Sequence, residues 1–349
     1  MAKSRDYWQK RFTMLADAEM SKGETYYKDL ERIYRETLKA IEKDIMYWYG
    51  RFADNNEITF ADAKKWIKNA DLEEFKWDVH EYIRRGEEYG INAAWAKELE
   101  NASARVHISR LESIKLQTQQ HIEMLYGKQI DGVERLTKEI YHSAYYHTAY
   151  EIQAGYGVGY SLHSIDKQQL SMMVSKPWTA DGATFSTRIW RAKDELVNMV
   201  HTELTQATIR GESLNNVIAK ISKQFDVSTK NAGRLIMTES AFFASAGQQQ
   251  AYKELDVERF EIVSALDQRT SAICRELDGK VLPMSDYASG ITAPPFHAWC
   301  RTVTVPYFDD NYGERAASKG NSSDPDDVYY VPSNMTYNEW FRIYGVKQT

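Results

Sequence analysis

Apolar residues in the first half of the chain recur at helical intervals. Tyr34, Leu38, Ile41, Ile45 and Trp48 step by four, three, four and three residues, which lays one stripe along a helix. Ile108, Leu111, Ile122 and Leu125 give the stripe of a second helix, and Leu136, Ile140, Ala144 and His147 mark a third. A polar break at Asp54–Glu57 separates the first two, followed by a capping box that begins at Thr59 and carries Asp62 where Glu is usual. No proline occurs before Pro177, and the intervening positions are rich in good helix formers.

The pattern changes at Gly155–Gly159, where GYGVG interrupts the helix and marks a hinge or boundary. Its spacing is not that of a dinucleotide loop, no strand precedes it, and the Walker lysine is missing. Beyond it, Pro177-Trp178 and Asp181-Gly182 predict a loop, and Ser186 caps a helix that stops at Arg210-Gly211. A helix over Leu214–Phe225 and a further one capped by Ser228 follow.

Short strands replace helices near the C-terminus. Phe260–Leu266, Lys280–Leu282 and Thr302–Val305 read as β-type runs, with Asp278-Gly279 as a turn between the first two. Tyr307–Asp327 is rich in Asp, Asn, Gly and Ser and reads as a mobile linker. Thr336-Tyr-Asn-Glu339 then caps a short amphipathic helix through Trp340, Phe341 and Tyr344, suited to docking on its own domain or on a partner. The fold class is mainly α, with long-helix N-terminal and central regions and a small C-terminal α+β module. The expected division is 1–155 (long helices), 156–258 (central helices), 259–308 (α+β module) and 309–349 (linker and tail helix).

Composition narrows the functional classes. The 349 residues carry a net charge of −6, so no global basic field draws the chain to nucleic acid and bulk DNA coating is disfavoured. No run of apolar residues is long enough to span a membrane and no charged-then-apolar leader opens the chain, so a soluble protein of the producing cell's cytoplasm is expected. Aromatic residues make up 13% of the chain, with 23 Tyr, and are assigned to helix packing and protein contacts rather than to a base-stacking platform, which would come with a basic groove.

Candidate chemistry concentrates between Val263 and Pro306. That stretch holds both cysteines and four of the seven prolines. Cys274, His297 and Cys300 are zinc-type donors, since thiolate and imidazole suit that ion and His-x-x-Cys presents two donors from one turn. Asp267 or Asp278 would complete a tetrahedron. Buried free thiols, a Cys274–Cys300 disulfide and a Cys-His nucleophilic pair remain open beside a structural zinc. A zinc deaminase is disfavoured, because PFHAWC lacks both the H-x-E and the P-C-x-x-C arrangements.

Other candidates have bland readings. His142 and His147 lie about 140° apart on a helix and share no face. Trp178, Asp181, Phe185, Arg188 and Trp190 form either a binding surface or a tryptophan-lined core with an ion pair. Glu239, without a spaced partner, reads as an anchor from helix to helix or helix to loop rather than a catalytic acid.

The strings LDQRTSAICRELDGKV and TAPPFHAWCRTVTVP resemble the C-terminal signature of the phage Mu F-like minor head (head morphogenesis) proteins. The matching positions are Leu266, Asp267, Thr270, Ser271, Cys274, Asp278, Gly279, Pro294, Pro295, His297, Cys300 and Arg301. The resemblance extends to Tyr7–Phe12, Lys176–Trp190 and Arg234–Tyr252, as in minor capsid proteins of tailed phages of Gram-positive bacteria. It implies a non-enzymatic virion protein inside the head near the portal. Its partners would be the portal protein and the major capsid or scaffolding protein, with contact to phage DNA and no membrane. It would act in head assembly and genome delivery. A metal-dependent nuclease or hydrolase using the Cys/His/Asp cluster, and a DNA-binding ejection protein, are the alternatives.

Overall fold

The computed structural model describes residues 3–55, 110–157, 159, 161–210, 212–308, 314–318, 328–332 and 335–345. Among the described residues five helices come first: α1 (Arg5–Asn55), α2 (Arg110–Tyr156), α3 (Lys167–Val174), α4 (Phe185–Arg210) and α5 (Leu214–Glu254). Strand β1 (Arg259–Val263), helix α6 (Ala272–Leu277) and strands β2 (Val281–Pro283) and β3 (Val303–Pro306) build the module. The described chain closes with β4 (Glu314–Ser318), β5 (Val328–Pro332), α7 (Tyr337–Trp340) and a wide helical turn, Phe341–Gly345.

The mainly helical class with a small C-terminal α+β module holds, and the helices are longer than the pattern predicts. The stripes read as a second and a third helix lie on one helix, α2. Gly127 and Gly132, which lie between the two stripes, are buried within that helix. The helices expected at Leu214–Phe225 and after Ser228 are likewise one, α5. Thr229 Oγ1 donates to Phe225 O (2.7 Å), so a hydroxyl next to the expected cap is satisfied inside the helix and forces no stop. Helix α4 begins at Phe185, one residue before the expected Ser186 cap. The Asp54–Glu57 break falls at the end of α1 and beyond it; the Thr59 box, Ile108 and the Trp48 side chain lie outside the described residues.

The chain forms two compact units, 1–26 with 134–184 and 234–349, and 27–133 with 185–233. In the second, helical segments bury the predicted stripe: Tyr34, Ile41, Ile45, Ile122 and Leu125 are inaccessible or nearly so. Tyr34 donates its hydroxyl to Gln129 Oε1 (3.0 Å) and packs edge-on against Tyr126 and Phe225. Lys193 reaches the buried Glu123 carboxylate at 2.8 Å.

The other unit wraps helix ends around the module. Its core joins Trp8, Phe12, Ile152 and Tyr252 to Phe260 and Ile262 on β1 and Val303 and Val305 on β3. A Cβ at Gly155 would sit 2.2 Å from the Trp8 ring, so that glycine is a packing necessity, while Gly157 (φ +68°) ends α2. The sheet is antiparallel in the order β2-β1-β3, with Glu261 opposite Val281 on one side and Val305 on the other. Glu261 is fully buried; Arg5 Nε donates to its Oε2 (2.7 Å), Arg5 Nη2 binds its other oxygen, and Gln9 Nε2 donates at 3.2 Å.

Within the polar stretch after β3, residues 314–318 form β4 where a linker is expected, and it pairs antiparallel with β5 from Glu314 opposite Pro332 to Ser318 opposite Val328. The tail helix begins as its sequence predicts, with the reciprocal capping box of Thr336 and Glu339. It docks on its own unit: Tyr337 and Trp340 pack with Leu266 and Val331, and Tyr337 donates to Asp267 O (3.2 Å).

Candidate metal centre

Three local structures converge beside the sheet. Ser271 caps α6 by accepting from Cys274 N, which places Cys274 in the first turn of that helix, buried. Gly279, at φ +76°, turns the chain from α6 into β2, a conformation that costs glycine nothing. After a cis Pro294–Pro295 peptide, the loop carrying His297 passes through Trp299 at φ +61°, then drops Cys300 into the interior just before β3. A left-handed tryptophan is an unusual conformation, maintained only where surrounding contacts dictate it.

Cys274 Sγ lies 3.2 Å from His297 Nε2 and 3.9 Å from Cys300 Sγ. All three donor atoms fall within 4.8 Å of one another. Both cysteines are free thiols, so they are not joined in the disulfide left open above. His297 Nδ1 lies 2.7 Å from Ala298 O. A carbonyl only accepts, so Nδ1 carries a hydrogen, and in the neutral ring Nε2 is the atom whose lone pair faces the sulfurs.

The surroundings favour a thiolate at Cys300. The Cys274 thiol donates to it, which outweighs burial, and the amides of Phe296 and Thr302 with the nearby His297 lower its pKa further. Cys274 moves the opposite way, raised by the hydrogen bond it gives Cys300, then by burial and the neighbouring charge. Ser264 braces the site from β1's end: its Oγ donates to Cys274 O (2.9 Å) and meets Thr302 Oγ1 (3.1 Å), while its amide donates to Asp278 Oδ1 (2.7 Å).

Asp267, expected as a fourth ligand, is turned to a different task. Arg301 donates to both its oxygens, at 2.5 and 2.7 Å, and Arg269 N and Thr270 Oγ1 add bonds at 2.9 and 3.2 Å. Burial raises the Asp267 carboxyl, but the Arg301 bonds outweigh it and hold the group below the ordinary carboxylate value. Asp278 serves Ser264 in the same way. Leu266 belongs to the tail-helix core, and Arg275 Nε donates to Thr270 O (2.7 Å) with its guanidinium over the Tyr337 ring at 4.7 Å. The motif therefore divides into three clustered donors and a set of caps, turns and charge clamps that hold them. Ser264 and Thr302 escaped the sequence reading, since nothing about a lone hydroxyl signals a partner 38 residues away.

The remaining candidates resolve locally. Trp178 Nε1 donates to the buried Glu239 carboxylate (3.0 Å) and its ring stacks on Phe242 at 4.3 Å, so Glu239 is an anchor from helix to loop. His142 and His147 are both exposed on α2; the first packs on Tyr146 and the second meets Ser143 Oγ at 3.0 Å. No helix among the described residues is long and apolar enough to cross a membrane.

Long helices carrying a small antiparallel sheet with a buried Cys/His cluster are the architecture in which the family match falls. Residues 198–305 match the profile of the phage Mu protein F like proteins, so this region is similar to that family. It is 22% identical over 330 residues to the minor head protein GP7 of Bacillus phage SPP1, covering 90% of this chain and 91% of that protein. It is also 22% identical over 188 residues to the NAD(+)--arginine ADP-ribosyltransferase EFV of Enterococcus faecalis, covering 53% of this chain and 38% of that protein. No solved structure matches it significantly.

Proposed function

We propose that the chain is a minor head protein that acts in head morphogenesis from a position inside the phage head at the portal vertex, and that it takes part in genome delivery. The observation that supports this most is the end-to-end likeness to a minor head protein, over 90% of this chain and 91% of the relative. The portal protein is the main partner, with the major capsid or scaffolding protein second, and DNA is met because of location rather than by a basic surface: the chain is acidic, at −6.

The role is non-enzymatic. The likeness to the ADP-ribosyltransferase takes in 38% of that protein, too little to bring its activity with it. The Cys/His cluster has no carboxylate among its grouped donors to act as a general base. The test is assembly of heads in cells that make or lack the portal protein, with this chain quantified in each. Incorporation at a few copies per head only when the portal is present is the expected result; equal incorporation without it would overturn the placement.

A second reading, a metal-dependent hydrolase of nucleic acid, draws on the same cluster because three protein ligands leave a metal position open. It requires DNA cleavage by the wild-type chain that a chelator abolishes and that His297→Ala lacks.

A further inference from the structure

We propose that Cys274, His297 and Cys300 bind one zinc ion that ties helix α6 to the loop before β3, with water in the fourth position. Geometry is the first argument. Zinc bonds of about 2.3 Å to sulfur and about 2.0–2.1 Å to nitrogen, at tetrahedral angles, set two sulfurs roughly 3.8 Å apart and sulfur and nitrogen roughly 3.6 Å apart. Cys300 and His297 stand 3.9 and 3.2 Å from Cys274 Sγ, within a few tenths of an ångström of those spacings, and all three donors lie within 4.8 Å of one another, so drawing His297 and Cys300 together is the larger adjustment. A disulfide requires about 2.05 Å between sulfurs and would leave the imidazole lone pair facing it without a purpose.

The second argument is orientation. His297 directs Nε2 inward because Nδ1 is held by Ala298 O at 2.7 Å, the outer hydrogen bond that fixes the tautomer of a zinc-ligating imidazole. On binding, any proton still on either sulfur passes to solvent, and two thiolates neutralise the divalent ion.

The third argument is the need for a tie. The strands have five, three and four residues, and α6 has six, too few to stand as an isolated sheet and helix. Two soft thiolates and an imidazole select zinc over calcium or magnesium, which take oxygen. His297 is partly exposed while both cysteines are buried, so the ion has an approach from one side and a dry floor on the other. Asp267 and Asp278 are committed to Arg301 and Ser264, which leaves the fourth position to water. The site stands or falls independently of the role in head assembly.

The test is metal analysis of the full chain purified without chelator, with native thiol reactivity measured before and after chelator. About one zinc per chain is expected, with both thiols protected until the chelator removes it. Cobalt added to the stripped chain should give a thiolate charge-transfer band and strong tetrahedral visible absorption, and zinc should restore protection. Cys274→Ser, Cys300→Ser and His297→Ala should each lose most of the bound zinc. Because those variants can fail to fold, the wild-type strip and add-back decide. Metal-free chain with thiols indifferent to chelator, whether reactive or buried, overturns the proposal, as does iron in place of zinc.

Discussion

The helical unit of residues 27–133 with 185–233 and the module around β1–β3 keep their shape by different means. In the first, every long helix satisfies its own backbone, so an apolar stripe is nearly all it needs, and Tyr34, Ile41, Ile45 and Ile122 supply it. In the module, strands of three to five residues bury little, and polar knots take over: Glu261 with Arg5 and Gln9, Asp267 with Arg301, and the Cys/His cluster. The difference teaches where each region is fragile. Loss of one apolar group weakens a long helix by degrees, whereas loss of one partner in a buried knot strands the other.

Glu261→Ala should break the comparison hardest. It leaves the Arg5 guanidinium, largely buried, without its carboxylate, and about 3–5 kcal/mol of stability should disappear in denaturant unfolding. Trp8→Ala is next, at about 3–4 kcal/mol, because the indole fills the space that Gly155 leaves open at the junction of α1, α2 and the sheet.

Asp267→Asn should cost about 2 kcal/mol near neutral pH, since it weakens a two-armed charged contact that is partly open on the arginine side. Its pH dependence gives the sign. A carboxyl whose folded pKa is depressed contributes stability above its unfolded pKa, about 3.9, and that contribution is lost as pH falls through the folded value. Acid titration of the wild type should therefore show stability falling below about pH 4, with that share of the fall missing in Asp267→Asn. Thr336→Ala removes the tail-helix cap and should cost about 1 kcal/mol.

The smallest effect belongs to the helical unit. Replacing both members of the buried Lys193–Glu123 pair at once, Lys193→Met with Glu123→Met, should change stability by less than about 1 kcal/mol, because packing can substitute for charge there. The single change Lys193→Met should cost more than the double one, since it leaves Glu123 buried alone.

The long helices and the clustered donors were legible in the sequence for the same reason: each writes a local pattern. Helical stripes repeat every three or four residues, and Cys, His and Pro are rare enough that their gathering stands out. Helix ends were harder to read. Ser228 looks like a cap, but Thr229 bonds back to Phe225 and α5 runs on. Gly127 and Gly132 sit buried within α2, which runs through both. Partnerships across distance left no trace at all: Arg301 claims Asp267 across 34 residues and Arg5 claims Glu261 across 256. A carboxylate that reads as a free ligand in one dimension is already spent in three. Strand β4 escaped because Glu-Arg-Ala-Ala-Ser has no β-branched residue, and its pairing with β5 supplies what propensity does not.

Hydrogen exchange of the full chain, read peptide by peptide in wild type and Glu261→Ala, tests most directly that knots hold the module while packing holds the helices. Faster exchange in β1, α6 and β3, with residues 30–45 of α1 and 114–133 of α2 unchanged, is the predicted result. An equal loss of protection in both regions would contradict it.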